Sequence, residues 1–390
     1  MIRVLSVIHH TEFSGPTNRN IRIAPLLEKD GVHVIVLVPD RPLASAFARL
    51  QKNGISTVTT RFHRLRATRD PKEHLRFVAQ FRRDIQRIRA VIREHRIDIV
   101  QINGLMNPHG AIAARLEKKK VVWQLIDTHS PRLLMYVTMP FVVALSHGVM
   151  VTGRKTAQVH PLVRHLNGRL FYFYPPVDMR AFTFDPAVRS QARKTLGLAD
   201  KDLVVGTVGT INPQKGHKCF IDAASRLLKE VPDMKFVVLG SILNTQQAYA
   251  DRVRQYAREK GFIPGENMIF KDPRDRACFF AQALDIFWMT STPRSEGIST
   301  AVEEAMTLGV PVISADVGSM SEVVCHDETG YVVKPGDSGA FAAYTRFLID
   351  HPHVRHDMGL AARRMAMKYF PAQMCASSHL ACYRHVMENP

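Results

Sequence analysis

The chain has 390 residues, 46% of them hydrophobic, with a formal net charge of +18. That length suits two domains with sizeable cores, and the composition is that of a globular protein rather than a disordered or fibrous one. Five cysteines at 219, 278, 325, 375 and 382 form no CxxC pair, which excludes a dense disulfide framework or a zinc ribbon and suits reduced thiols in the cytoplasm.

The first ten residues, MIRVLSVIHH, go straight into a strand pattern without signal-peptide features. Ile2 to Ile8 reads as a strand. A loop follows from His9 through Gly15 to Thr17, then a helix from Asn20 to Lys29 that stops near Asp30-Gly31, then a strand from Val32 to Val38. This βαβ order predicts a parallel sheet that binds ligands at the carboxyl ends of its strands. Gly15 is open to two readings, an ordinary turn or a close approach to a ligand.

Residues 61–96 contain twelve Lys or Arg against four Asp or Glu. Leu75, Val78, Phe81, Ile85, Ile88 and Ile92 recur at helical spacing, so a helix is expected to lay that stripe on the sheet. Its arginine face then meets solvent or an anionic membrane surface. No recognised nucleic-acid module appears, which argues against nucleic acid. Residues 1–178 carry net +16 and residues 179–390 only +2, so the anionic partner belongs to the first half.

Ile97 to Ile102 is the next strand, then a helix from Ala111 to Lys120 and a strand from Val121 to Ile126 that ends at Asp127-Thr128-His129-Ser130. A histidine just past a strand end points toward a ligand, which makes His129 a candidate. His9, His10 and His109 occupy similar loops, and each is equally open to a packing role. Leu133 to Gly153 holds no Asp, Glu, Lys or Arg. That is long enough for a membrane span, but Pro140, Ser146, His147 and Gly148 interrupt it. The expected reading is a buried helix, Leu133 to Leu145, and a strand, Val149 to Thr152.

The run Phe171 to Asp178 (FYFYPPVD) supplies a proline pair for a domain boundary. It predicts domains at 1–178 and 179–370, with a last helix over 371–390. In the second domain, Leu203 to Val208 is a strand and GTINPQKG follows from Gly209 to Gly216, ahead of a helix over 218–229. A glycine turn carrying Lys215 before a helix is a phosphate-site layout. Asp200-Lys201-Asp202 has metal-binding spacing but reads as a solvated turn. Further strands are expected at Lys235 to Leu239, Asn267 to Phe270 and Ile286 to Thr290, with helices at Ala248 to Lys260 and Phe279 to Leu284.

From Arg294 to Gly309 the sequence is RSEGISTAVEEAMTLG. Thr300 and Glu303 read as a capping box, with Glu303 decorating the positive end of the helix. Glu296 lies in the loop before that helix and Glu304 one turn inside it, so a loop folding back aims both carboxylates into one cleft. Carboxylates accept hydrogen bonds from sugar hydroxyls, and amides at a helix start hold phosphate. Together they describe a nucleotide-sugar site. After the Gly309 and Pro311 stop come a strand to Ile313, a turn over Asp316 to Ser319, an apolar run from Gly330 to Val333, and helices over 341–349, 353–368 and 371–387.

The segment SEGISTAVEEAMTLGVPVISADVGSMSEVV, with ETGYVV after it, resembles the carboxyl-terminal signature of retaining glycosyltransferases of family 4 (glycosyl transferases group 1). Glu296 and Glu304 take the two ends of that family's E-x7-E motif. The Pro-Val-Asp of the linker with Phe182 after it is similar too. The resemblance implies an α/β GT-B fold, two Rossmann-like domains facing across a cleft, the first for the acceptor and the second for the donor. It implies a last helix that crosses back to the first domain. It also implies transfer of a sugar from a nucleotide-diphosphate sugar to a hydroxyl with retention, in cell-surface polysaccharide or glycolipid synthesis.

Carried over residue by residue, the resemblance assigns Glu304 to the ribose hydroxyls and Glu296 to the transferred sugar. It gives Lys215, the amides at Gly297 and Ile298, and Gly15 to the diphosphate, and His129 to the sugar. No metal or other cofactor is implied. Departures stand beside this. The family has Arg directly after Gly209, where this chain has Thr210, so Arg294 or Arg154 would have to supply the second cation. Gly15-Pro16 replaces a double glycine, and the loop Lys271 to Arg274, placed near the base, lacks the family's glycine. The resemblance leaves open another GT-B enzyme, such as a phosphorylase or epimerase, and a non-catalytic scaffold on an anionic membrane. The expected location is cytoplasmic, on the inner face of the plasma membrane.

Overall fold

Unalternated runs of Val, Ile and Leu form strands buried on both faces, as parallel sheets require. Val4, Leu5 and Val7 are buried, as are Val34 to Val38, and they pair in parallel with Val4 opposite Val34. The computed structural model describes residues 1–9, 11–12, 14–40, 45–63, 71–126, 128–166 and 168–389. His10, Phe13, Asp127 and residues 64–70 of the basic block lie outside the described residues. The chain divides into two units, Met1–Pro176 with Ala372–Pro390, and Val177–Pro371.

In the first unit the strands are β1 (Ile2–Val7), β2 (Val32–Pro39), β3 (Thr57–Thr60), β4 (Ile99–Asn103), β5 (Lys120–Leu125), β6 (Gly148–Val151) and β7 (Leu170–Tyr172). They form one sheet in the order β3-β2-β1-β4-β5-β6-β7. Helices Pro71–Glu94, His109–Leu116 and Arg132–Leu145 cover one face, and Gly15–Lys29, Ser45–Lys52 and the C-terminal Ala372–Glu388 cover the other. That split follows from right-handed crossovers, which place helices on opposite faces as the chain moves left or right from β1.

In the second unit the strands are β8 (Val204–Val208), β9 (Lys235–Leu239), β10 (Met268–Lys271), β11 (Ile286–Met289), β12 (Val312–Ala315) and β13 (Gly330–Val333). Their order is β10-β9-β8-β11-β12-β13, all parallel. Both sheets are Rossmann-like. In each, strand order reverses beside the first strand, between β1 and β4 and between β8 and β11, the place at which such sheets generally bind ligands outside the carboxyl ends of the strands.

Several expectations are corrected. The first helix runs Gly15–Lys29 rather than from Asn20, because Pro16 in its first turn is pre-set for helix and needs no donor. On helix Pro71–Glu94, Ile85, Ile88 and Ile92 are buried, but Leu75 and Val78 are 70% and 69% exposed. The stripe reaches the core only over its second half. Helix Arg132–Leu145 is buried along Met135, Thr138, Met139 and Val142 alone, and its other face is bare. No described helix is long and apolar enough to cross a membrane.

Candidate nucleotide-sugar site

At the switch point of the second unit stand the loops after β8 and β11. The first runs from Gly209 to Gly216 and ends in a short 3-10 turn, Pro213–Lys215. Asn212 caps that turn by accepting from the Gln214 amide at 3.0 Å, and its own amide donates to Thr210 Oγ1 at 2.8 Å. Thr210 thus orients the cap of the lysine turn, where the sequence comparison expected a cation. The Lys215 stem lies on Gly209. A Cβ there would stand 3.1 Å from Lys215 Cε.

The two loops are stitched together. Thr292 donates from its amide to the Gln214 carbonyl at 2.8 Å, and Thr290 Oγ1 donates to the Lys215 carbonyl at 3.0 Å. Gly216, at φ +66°, presses so closely that a Cβ would sit 1.9 Å from the Thr290 oxygen. This stitching brings Lys215 Nζ to 2.6 Å from Glu296 Oε1, with Ser291 Oγ donating to the same oxygen at 3.0 Å. Both partners are mostly buried, the side chains 25% and 14% exposed.

A third loop holds the Glu296 segment from behind. Ser319 donates its amide to the Gly297 carbonyl at 2.8 Å. Gly318, at φ +56°, allows the approach, since a Cβ would meet the Gly297 and Glu296 carbonyls at 2.2 and 2.4 Å. Arg294 sits in the same loop in the left-handed region, φ +59°. Gly297 and Ile298 are buried and lead to helix Thr300–Thr307, on which Glu304 is half-buried. Lys215, Glu296, Gly209 and Thr210 therefore converge, with Arg294, Gly297 and Ile298 on the same loop as Glu296.

The capping box is not formed. Ser299 is the N-cap, without a side-chain hydrogen bond, and Thr300 is the first helical residue. Glu303 lies on the inner face of this helix, fully buried rather than decorating the helix end. The Asp200-Lys201-Asp202 turn is internally used: Asp202 accepts from the Ala199 amide at 2.8 Å. Among the described residues no cluster of three His, Cys, Asp or Glu is arranged to hold a metal.

In the first unit, Gly15 opens a helix at the carboxyl end of β1, and nothing lies within 4 Å of a Cβ built on it. It is neither a turn glycine nor crowded by its own unit. His129 follows β5 and is exposed. His9 is buried with its ring 5.6 Å from Phe62. His109 is not in a loop: it begins a helix, is fully buried, and packs between Phe77 and Phe81 at 5.0 and 4.8 Å. Burial pushes its pKa down to about 4. His217, after Gly216, is likewise pushed down to about 4 by burial, with Lys215 acting in the same direction.

Sequence reasoning missed Ser291, Thr290, Thr292 and Asn212, the residues that aim Lys215 and Glu296. Their one signal is position. Each hydroxyl lies within three residues of the end of β11, and strand order decides that β11 neighbours β8.

Residues 188–365 match the family described as Glycosyl transferases group 1. Among curated proteins, the lipopolysaccharide core biosynthesis mannosyltransferase LpsB of Rhizobium meliloti is 28% identical over 218 residues, 55% of this chain. The D-inositol 3-phosphate glycosyltransferase of Jonesia denitrificans is 28% identical over 238 residues, 60% of this chain. The chain spans 58% and 55% of their lengths. The structure of Anabaena HepE in complex with UDP superposes with TM-score 0.81 at 19% identity, covering 98% of this chain and all of that one. The chain therefore has the GT-B fold, and residues 188–365 of its second unit are similar to the glycosyl transferases group 1.

Proposed function

We propose that the chain is a retaining glycosyltransferase of family 4 that moves a sugar from a nucleotide-diphosphate sugar to a hydroxyl of a saccharide or lipid-linked acceptor. The setting is cell-surface polysaccharide or glycolipid synthesis. The observation that carries this reading is the Lys215–Glu296 pair at the β8/β11 switch point, 2.6 Å apart and cradled by Gly209, Gly216 and Gly318. A cation on a glycine bed takes a diphosphate, and the carboxylate beside it takes sugar hydroxyls. The match of residues 188–365 and the nature of the curated relatives support it.

In this reading the bond from the anomeric carbon to the diphosphate oxygen breaks, and the acceptor oxygen bonds to the same face. The acceptor proton passes to the departing phosphate. Lys215 leaves Glu296 for the diphosphate and, with the Gly297 and Ile298 amides, stabilises the developing charge. Fixed donors of this kind contribute about 10²–10³ in rate each. Glu296 turns to the sugar hydroxyls, Glu304 holds the ribose, and Arg294 supplies the cation that Thr210 does not. His129 and Gly15 belong to the first unit, which takes the acceptor, and His129 contacts the transferred sugar. No metal is called for, because Lys215, Arg294 and the amides supply the positive charge. The basic residues 61–96 place the first unit against an anionic membrane at the inner face of the plasma membrane.

Thermal shift against UDP-, GDP- and ADP-sugars, without added metal, tests this. Ligand bound to the folded state raises Tm by mass action. One nucleotide should raise it, Glu304→Ala should abolish the rise, and Lys215→Ala should lower kcat by about 10²–10³. No shift with any donor, and no nucleotide release with any acceptor, would make the chain a scaffold. Retention is read from the anomeric signal of the product by NMR, and an inverted product sinks that part.

A further inference from the structure

Helix Arg132–Leu145 carries no charge after its first residue. One stripe is in the core. The opposite stripe is apolar and bare: Leu133 is 79% exposed, Tyr136 66%, Val137 54% and Phe141 49%. The spacing i, i+3, i+4, i+8 makes this one continuous face. Scattered single hydrophobic residues on a surface mean little, but a contiguous set on one helix marks something that covers it.

Its surroundings decide what. On the same face of the first sheet, helix Pro71–Glu94 exposes Leu75 and Val78 among Lys72, Arg76, Arg82 and Arg83. Helix His109–Leu116 packs against both. All three helices begin at the carboxyl-end edge of the sheet, so Leu75 and Val78, and Leu133, Tyr136 and Val137, in the first halves of their helices, lie toward one edge of one face, with Arg82, Arg83 and Phe141 further along it. A second copy bringing the same face would set arginine against arginine, which costs free energy. The complementary surface is apolar beneath and anionic above, as a bilayer interface with acidic headgroups is. A helix of 14 residues spans about 21 Å, too short to cross the hydrocarbon core. It can lie in the interface, with Tyr136 at headgroup level.

We propose that this face docks on an anionic lipid bilayer, with Leu133, Tyr136, Val137 and Phe141 inserted at the interface and the arginines of helix Pro71–Glu94 on the headgroups. This adds apolar insertion to the charge contact of residues 61–96, and it rests on that contact. It does not rest on the transferase chemistry.

The test is flotation with vesicles of phosphatidylcholine alone and of phosphatidylcholine with phosphatidylglycerol. The protein should float with the anionic vesicles and remain partly bound in high salt, where headgroup attraction is screened. The variant L133S/Y136S/F141S, whose sites are exposed and leave the core untouched, should lose roughly tenfold or more in affinity. The variant R82E/R83E should lose binding to anionic vesicles mainly at low salt. Phe141→Trp should blue-shift its emission on the vesicles. Full binding by the serine variant overturns apolar insertion and leaves the charge contact standing. No flotation of the native protein overturns both. A native dimer that the serine variant splits, with no flotation, assigns the face to a second copy and overturns the proposal.

Discussion

The two units share one strand order over six strands, with β7 added in the first, but fill their switch points differently. At β8/β11 the loops are drawn together by backbone contacts through glycines, and a charged pair stands at the opening. Near β1/β4 the polar groups turn inward. Ser6 Oγ accepts from Asn20, Gln101 and Asn103, and Tyr383 of the C-terminal helix donates to Gln101 at 2.6 Å. Arg19 enters this seam, donates to Asn103 and lies over the Phe173 ring at 5.2 Å. The same fold thus leaves a charged pair at the loop ends of one unit and uses its polar groups to hold helices in the other.

Two buried arginines make the contrast testable, with the largest expected effect. In the second unit, Arg193 is 1% exposed, pairs with Asp285 at 2.8 Å, and donates to the carbonyls of Ala199, Asp200, Asp202 and Ala283. Arg19 is 4% exposed, and among the described residues no carboxylate pairs with it. Burial lowers the pKa of both, and only Arg193 has a carboxylate restoring it. Removing one partner of a buried pair costs about 3–5 kcal/mol because it strands the other charge, whereas replacing a buried cation that has no carboxylate partner strands none. Arg193→Met should therefore unfold at much lower urea, and Arg19→Met should stay within about 1 kcal/mol of the native protein. Equal losses would mean that the seam around Arg19 is as well compensated as the Asp285 pair.

What was legible followed from how local the signal is. The E-x7-E segment, the lysine turn and the strand runs are short-range patterns, and they led to the fold and to Lys215 and Glu296. The helix Pro186–Leu196 has an Asp185 cap and a Gly197 stop, yet too few apolar residues to announce itself by periodicity. The exposed face of helix Arg132–Leu145 could not be read at all. An apolar residue has the same letter whether it meets the sheet or the solvent, and only the crossover's position says which. Glu303 fails for the same reason, since its letter suits an exposed helix start and only the packing of helix Thr300–Thr307 puts it inside.

Glycines sharpen the comparison at a smaller scale. Gly216→Ala meets the Thr290 carbonyl at 1.9 Å from a left-handed backbone. It should cost roughly 2–3 kcal/mol and weaken donor binding with it. Gly15→Ala meets nothing within its own unit and should leave Tm unchanged or slightly raised, since alanine favours the helix. Loss of kcat/KM in Gly15→Ala at constant Tm would place a substrate against Gly15. Unchanged kinetics would remove Gly15 from the site.

The smallest effect is a difference in acid response. His109 and His379 of the first unit are pushed down to about 4 and about 3, both chiefly by burial, and for His379 also by Arg19. In the second unit only His217 shows a comparable shift among the described residues, to about 4. In the unfolded chain each returns to about 6.5. Between those values the unfolded state binds the extra proton. Each group's contribution is complete above pH 6.5 and is lost as pH falls toward 4 for His109 and His217, and toward 3 for His379. For His109 that amounts to about 2 kcal/mol at pH 5. Hydrogen exchange at pH 5 should show residues 1–176 losing protection before residues 177–371, and His109→Phe should narrow the gap. If the second unit opens first, the difference in buried histidines is not what sets acid stability, and the loosening starts at the glycine-stitched loops around Lys215.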